Sequence, residues 1–146
     1  MSQYYDMGDE TLWNPSTGAS RLFLRQVAVF EEELSLPSGI GPMEADECQI
    51  DPAVLGVFAN ALLARHRQTH HAVVRALSEG FVLTLLALAE RADIEVHWES
   101  PRPTPAAELR DTQIPVTACS PVGEKQGAWG VELHRKVQEL DRSMAR

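Results

Sequence analysis

From Pro52 to Ala92 the chain holds helical spacing for about forty residues, longer than any other stretch, and this restricts its fold most. Leu55, Phe58, Leu62, His66, Thr69, Val73, Leu77, Thr84 and Leu88 recur at roughly helical intervals. Asp51-Pro52 is a strong start signal, because aspartate caps and proline at the first helical position has no N–H to leave unsatisfied. Globular helices average about 11–12 residues, so the stretch reads as two helices. The break falls near Arg67–Thr69, after the polar run Arg65, His66, Arg67 and Gln68. The second helix, over 69–92, is apolar on most of its circumference from Phe81 to Ala89, the pattern of a central core helix. Gly80 inside it costs ~1 kcal/mol relative to alanine, and a close packing contact is expected to explain it. The longest apolar run, Phe81 to Ala89, falls far short of the ~20 residues of a membrane span, so no membrane partner is expected.

The flanking segments predict a small sheet. Residues 3–13 mix aromatics with turn formers and read as a strand or short hairpin turning near Gly8-Asp9. Asn14, held out of the helical region by Pro15, ends it. Ser16 or Thr17 caps a helix with Phe23, Val27, Phe30 and Leu34 on one face. Pro37 stops this helix, and Ser38-Gly39-Ile40-Gly41-Pro42 is a loop. Residues 46–51 predict a short strand with Cys48 and Ile50 on one face. Ile94–Glu99 alternates, with Ile94, Val96 and Trp98 opposite Glu95, His97 and Glu99, and predicts a half-buried strand. Five of the nine prolines then lie in 101–125, read as a linker or mobile arm. Over 126–146, Trp129, Leu133, Val137, Leu140 and Met144 resume helical spacing. The expectation is an α+β fold, with three or four short strands on two or three helices. It divides into a domain over 1–100, a proline-rich arm over 101–125 and a C-terminal helix over 126–146. That helix docks on the core or forms a homodimer.

Charge and cysteine content restrict the partners. The net charge is −8. Nine acids against Arg21 and Arg25 place −7 of it in residues 1–50. That field disfavours nucleic acid and anionic membrane and suits a basic protein. Cys48 and Cys119 are far apart with no CxxC pairing and read as ordinary thiols. The acidic N-terminus lacks the basic and apolar regions of a signal peptide, so the cytoplasm is expected.

No motif carries catalysis on its own. Ser78-Glu79-Gly80 is not a nucleophile elbow, and Cys48 on the apolar side of a strand is expected to be inert. The glycines at 39 and 41 have no Lys-Ser/Thr follow-up and do not signal a phosphate cradle. His66 and His70 would stand one turn apart on a continuous helix, a spacing used by zinc sites, but HxxxH alone is weak and a break at Arg67 removes the geometry. No cofactor is expected. Glu44, Asp46 and Glu47 cluster before a helix start, and Tyr5 and Trp13 lie in the acidic segment. Tyr and Trp beside acids can anchor a basic partner.

The runs Tyr5-Asp6-Met7-Gly8-Asp9, Leu12-Trp13-Asn14-Pro15, Pro37 to Glu44, Asp46 to Pro52 and Leu77-Ser78-Glu79-Gly80-Phe81 resemble a family of small uncharacterised actinobacterial proteins, a domain of unknown function. The resemblance covers residues 1–95, with the arm and last helix as an extension, and implies a bacterial cytosolic setting but no activity. The leading functional expectation is a non-enzymatic protein-binding module, such as an immunity or regulatory protein. It would dock a basic partner through Tyr5, Trp13, Glu44, Asp46 and Glu47. The alternatives are a metal-binding protein or metal-dependent enzyme using His66 and His70, and a small-molecule site under the Phe81–Ala89 helix.

Overall fold

The computed structural model describes residues 2–99 and 122–146, with side chains from residue 128 onward in the second span. The elements run β1 (Tyr4–Met7), β2 (Glu10–Trp13), α1 (Thr17–Leu34), β3 (Glu47–Gln49), α2 (Pro52–Gln68), α3 (Ala72–Arg91) and α4 (Val122–Asp141). The fold is α+β: the described residues form a three-stranded mixed sheet of order β2-β1-β3 with four helices. Of the arm read over 101–125, residues 101–121 lie outside the described residues, and α4 begins at Val122 rather than at 126.

β1 and β2 form a hairpin whose two-residue turn has Gly8 first at φ +62°, the arrangement of a type II′ turn. Tyr5 pairs with Trp13 but Asp6 pairs with Thr11, so Leu12 is an extra residue on β2. This bulge turns Leu12 and Trp13, adjacent in sequence, both into the core. β3 lies parallel to β1 with Cys48 opposite Tyr5. The expected loop over 38–42 is an ordered edge cover: the Gly41 N–H donates to Gln49 O at 2.9 Å and Asp51 N–H to Gly39 O at 2.8 Å. Gly39 has φ +78°, and a Cβ there would lie 2.7 Å from both Asp51 O and Leu55 N, so only glycine fits.

The helix signals behave as their chemistry requires. Ser16 caps α1, and the Asp51 carboxylate accepts from the Ala53 and Val54 N–H groups at the start of α2. Residues 52–92 divide into two helices, with the break at Thr69–His71. Over an 18-residue window α3 is long and apolar enough by length and composition to cross a membrane, which the short run Phe81–Ala89 understates. In the fold that run is core: Phe81, Val82 and Leu85 to Ala89 are buried. Phe81 stacks on Phe30 of α1 at 4.6 Å and meets Phe23 at 5.6 Å, continuing a chain of rings through Trp13 and Tyr5. Gly80, by contrast, faces open space, with no atom within 4 Å of a Cβ built there. Among the described residues nothing makes the packing contact expected at that position.

The fourth strand expected over Ile94–Glu99 does not form. The alternation is real, since Ile94, Val96 and Trp98 are half-buried and Glu95, His97 and Glu99 are exposed. The segment pairs with a side chain instead of a strand. Asn60 of α2 donates Nδ2–H to Glu95 O at 3.0 Å, and its Oδ1 accepts the His97 N–H at 2.8 Å. One amide supplies the donor and acceptor of a ladder step, so the extended backbone is satisfied without a partner strand.

α4 packs on α3 of the same chain, with Leu133 and Val137 buried in the common core. Arg91, its side chain 5% exposed, fixes the end of α4. It ion-pairs with Asp141 and donates to the carbonyls of Asp141 and Met144 at 2.8 Å each. His134 pairs with Glu90 at 2.9 Å and stacks on Trp98 at 4.6 Å, and Lys136 pairs with Glu79.

Candidate functional site

A cleft of about 510 Å³ opens between α1, the last turns of α2 and the first turns of α3. It is lined by α1 on one side and, on the other, by residues that flank the break between α2 and α3. Phe30, Leu62 and Val82 supply apolar wall deeper in, and Val29, Val74 and Leu77 supply apolar lips. Leu77 is 78% exposed and Val29 is 55% exposed. Large apolar side chains left in water on the rim of a concavity of this size are the surface feature of a binding cleft.

The polar groups of the cleft are Arg25, Gln26, Glu33, Arg65, His66, Thr69 and Ser78. Most are already engaged. The Ser78 hydroxyl donates to Val74 O at 2.8 Å, and Thr69 Oγ1–H donates to Arg65 O at 2.9 Å. His66 Nδ1 lies 3.3 Å from Ser78 Oγ. Because the hydroxyl proton is committed to Val74 O, Nδ1 acts as the donor in that pair. Burial, helped by the positive charges of Arg75 and Lys136, holds the His66 imidazole below its ordinary pKa and favours the neutral ring. Arg65 and Glu33 form an ion pair across the mouth, from α2 to α1. Arg65 Nη1 is buried with no hydrogen-bond partner, and Arg25 makes no hydrogen bond or ion pair among the described residues.

Behind His66 a second hollow of about 210 Å³ separates it from α4. There the Trp129 ring lies 6.0 Å from the imidazole, with the Arg67 and Arg75 guanidinium carbons 5.4 Å and 5.7 Å from its centroid. His66 therefore stands between the cleft and the C-terminal helix.

The residues singled out in the sequence are scattered. Tyr5 is fully buried, its hydroxyl 2.7 Å from Ser20 Oγ, and Trp13 is packed beside it. Both are core residues and neither is presented to a partner. Glu44 and Glu47 are exposed at the ends of a tight turn, paired backbone to backbone at 2.8 and 2.9 Å. Ala45 and Asp46 between them both have positive φ, as a type I′ turn requires. Asp46 is half-buried and accepts from Gln3 Nε2 at 3.1 Å, so it shapes the turn. His66 and His70 are not on one helix: α2 ends at Gln68, Thr69 is extended, and His70 is exposed while His66 is buried. Among the described residues no group of three or more His, Cys, Asp or Glu could hold a metal ion.

Sequence reasoning missed the cleft residues Arg25, Val29 and Arg65. One signal was available: Val29 is apolar yet lies off the Phe23-Val27-Phe30-Leu34 stripe of α1.

No curated protein and no solved structure matches the chain. The model of the family of unknown function (DUF6086) spans residues 1–146, so the resemblance read over 1–95 extends through the proline-rich segment and the last helix, and the chain belongs to that family.

Proposed function

We propose that this chain is a non-enzymatic binding protein whose ligand is a small molecule seated in the α1–α2–α3 cleft. The observation that carries the reading is a 510 Å³ concavity with exposed apolar lips at Val29 and Leu77 and a neutral, buried His66 inside it. The arrangement argues against nucleophilic catalysis by Ser78. That hydroxyl sits mid-helix and gives its proton to Val74 O, so His66 has no proton to take from it.

The test is a thermal-shift screen of the full chain against a metabolite library, since a ligand that binds only the folded state raises the melting temperature. Hits are then located by amide chemical shifts. Hits that perturb residues 25–33, 62–69 and 74–82 support the reading. A flat screen, or hits that map elsewhere, removes it.

A second reading keeps the acidic N-terminal third as a dock for a basic protein. It is favoured by the turn over 44–47, which projects Glu44 and Glu47 into solvent on two non-glycine residues held at positive φ. Replacing Glu44 and Glu47 by lysine should abolish salt-sensitive capture of a basic partner. Capture that survives the reversal excludes this surface.

A further inference from the structure

We infer that the ligand of the cleft is an amphipathic monocarboxylate, an acid group on an apolar body. This inference rests on the reading of the cleft as a small-molecule site. Most polar groups of the lining have already spent their bonding capacity. Ser78 and Thr69 donate to backbone carbonyls, and the Nδ1–H of His66 is taken by Ser78. The lone carboxylate of the lining, Glu33, is held by Arg65. What remains, apart from the Gln26 amide and the unprotonated Nε2 of His66, is guanidinium N–H: all of Arg25 and, closed to solvent as the side chain stands, the unpartnered Nη1 of Arg65. The free capacity is thus mostly donating and cationic, and its complement is an anion that accepts.

Charge fixes the valence. With His66 neutral, the lining carries Arg25, Arg65 and Glu33, a net of one positive charge, inside a chain of net charge −8. One positive charge balances a monoanion and leaves a phosphate dianion in excess. A planar carboxylate also matches the guanidinium fork in two-point geometry. The Arg65–Glu33 pair is solvent-exposed on both sides, 36% and 50%, and such pairs are weak enough for an incoming carboxylate to compete with Glu33 for Arg65. The apolar body then covers Val29, Val74 and Leu77, the side chains that water otherwise meets.

The experiment is titration calorimetry of the full chain with sub-micellar decanoate and, separately, 1-decanol, on wild type and Arg25→Gln. Arg25 is exposed and unpaired, so its replacement leaves the fold intact. The expected result is that decanoate binds wild type at least tenfold more tightly than decanol does. Arg25→Gln should weaken decanoate roughly tenfold while leaving decanol unchanged. Equal binding of decanoate and decanol, with shifts at 25–33 and 74–82, overturns the acid assignment and leaves the cleft reading standing. No binding of either probe overturns both.

Discussion

Tyr5 and Cys48 face each other across the β1–β3 pair, and both are ionisable groups buried in apolar surroundings. Burial pushes the Cys48 thiol from 9.0 up to about 11, although the Gly41 backbone works the other way. Burial likewise pushes Tyr5 from 10.0 up to about 12, against its bond to Ser20. Each group ionises more readily in the unfolded chain, so between pH 9 and about 11 the unfolded state binds fewer protons and stability falls as pH rises. The expected outcome is a urea midpoint that is level from pH 7 to 8.5 and declines above 9, with a loss on the order of 2 kcal/mol from Cys48. Cys48→Ala should delay the decline to about pH 10, where Tyr5 begins to contribute. In a Cys119→Ser background, Cys48 should react with a thiol reagent at pH 8 only upon unfolding; rapid reaction of the folded protein contradicts its burial. The sequence placed Cys48 on an apolar face, and that was legible from period-2 alternation alone. The role of Tyr5 was not. An aromatic in an acidic segment reads the same whether it packs on Phe23 or meets a partner, and the Leu12 bulge that buries both Leu12 and Trp13 leaves no mark in the pattern.

Among the elements, helix starts were the most legible feature, because a cap is a local chemical requirement that Ser16 and Asp51-Pro52 meet without help from the rest of the chain. Strands were harder to read, since a ladder needs a partner that local sequence does not specify. Ile94–Glu99 has the alternation of a strand and the burial of a strand, yet its hydrogen bonds end on Asn60, thirty-five residues away in the chain for the Glu95 contact. Gly80 of α3 is a similar lesson. A glycine inside a helix suggested a close neighbour, but the position faces open space in an exposed part of the helix. Its only effect is the conformational freedom it gives the unfolded chain. Gly80→Ala should therefore stabilise the protein by about 0.5–1 kcal/mol, seen as a higher melting temperature with an unchanged circular dichroism spectrum. Destabilisation would mean that something approaches this face closely. The cleft was illegible for a related reason. Leu77 fits the helical spacing of a core residue, yet it stands 78% exposed on the rim of the cleft.

At the scale of the whole molecule, what joins the two described spans is one charged side chain as much as apolar area. Leu133 and Val137 seal α4 against α3, and His134 and Lys136 pair with Glu90 and Glu79 along the seam, but none of these contacts holds the last turn of α4. Arg91 does. From a nearly buried position it reaches the Asp141 carboxylate, the carbonyls of Asp141 and Met144, and Leu12 O of the hairpin. It therefore ties α3, the end of α4 and the sheet at one point. Arg91→Met keeps most of the apolar stem and removes every one of those bonds, leaving buried carbonyls without donors. The expected loss is about 3 kcal/mol of stability. It should be local as well as global: α4 amides should exchange faster with solvent, and with α4 released, Trp129 should leave its place beside His66 and its emission should move to the red. If α4 amides in Arg91→Met keep their protection, the Leu133 and Val137 seam suffices to hold the helix and Arg91 only orients it. Because His66 lies between Trp129 and the cleft, the same variant also measures whether the cleft depends on α4 at its back. Unaltered decanoate affinity in Arg91→Met would show that α1, α2 and α3 shape the cleft on their own.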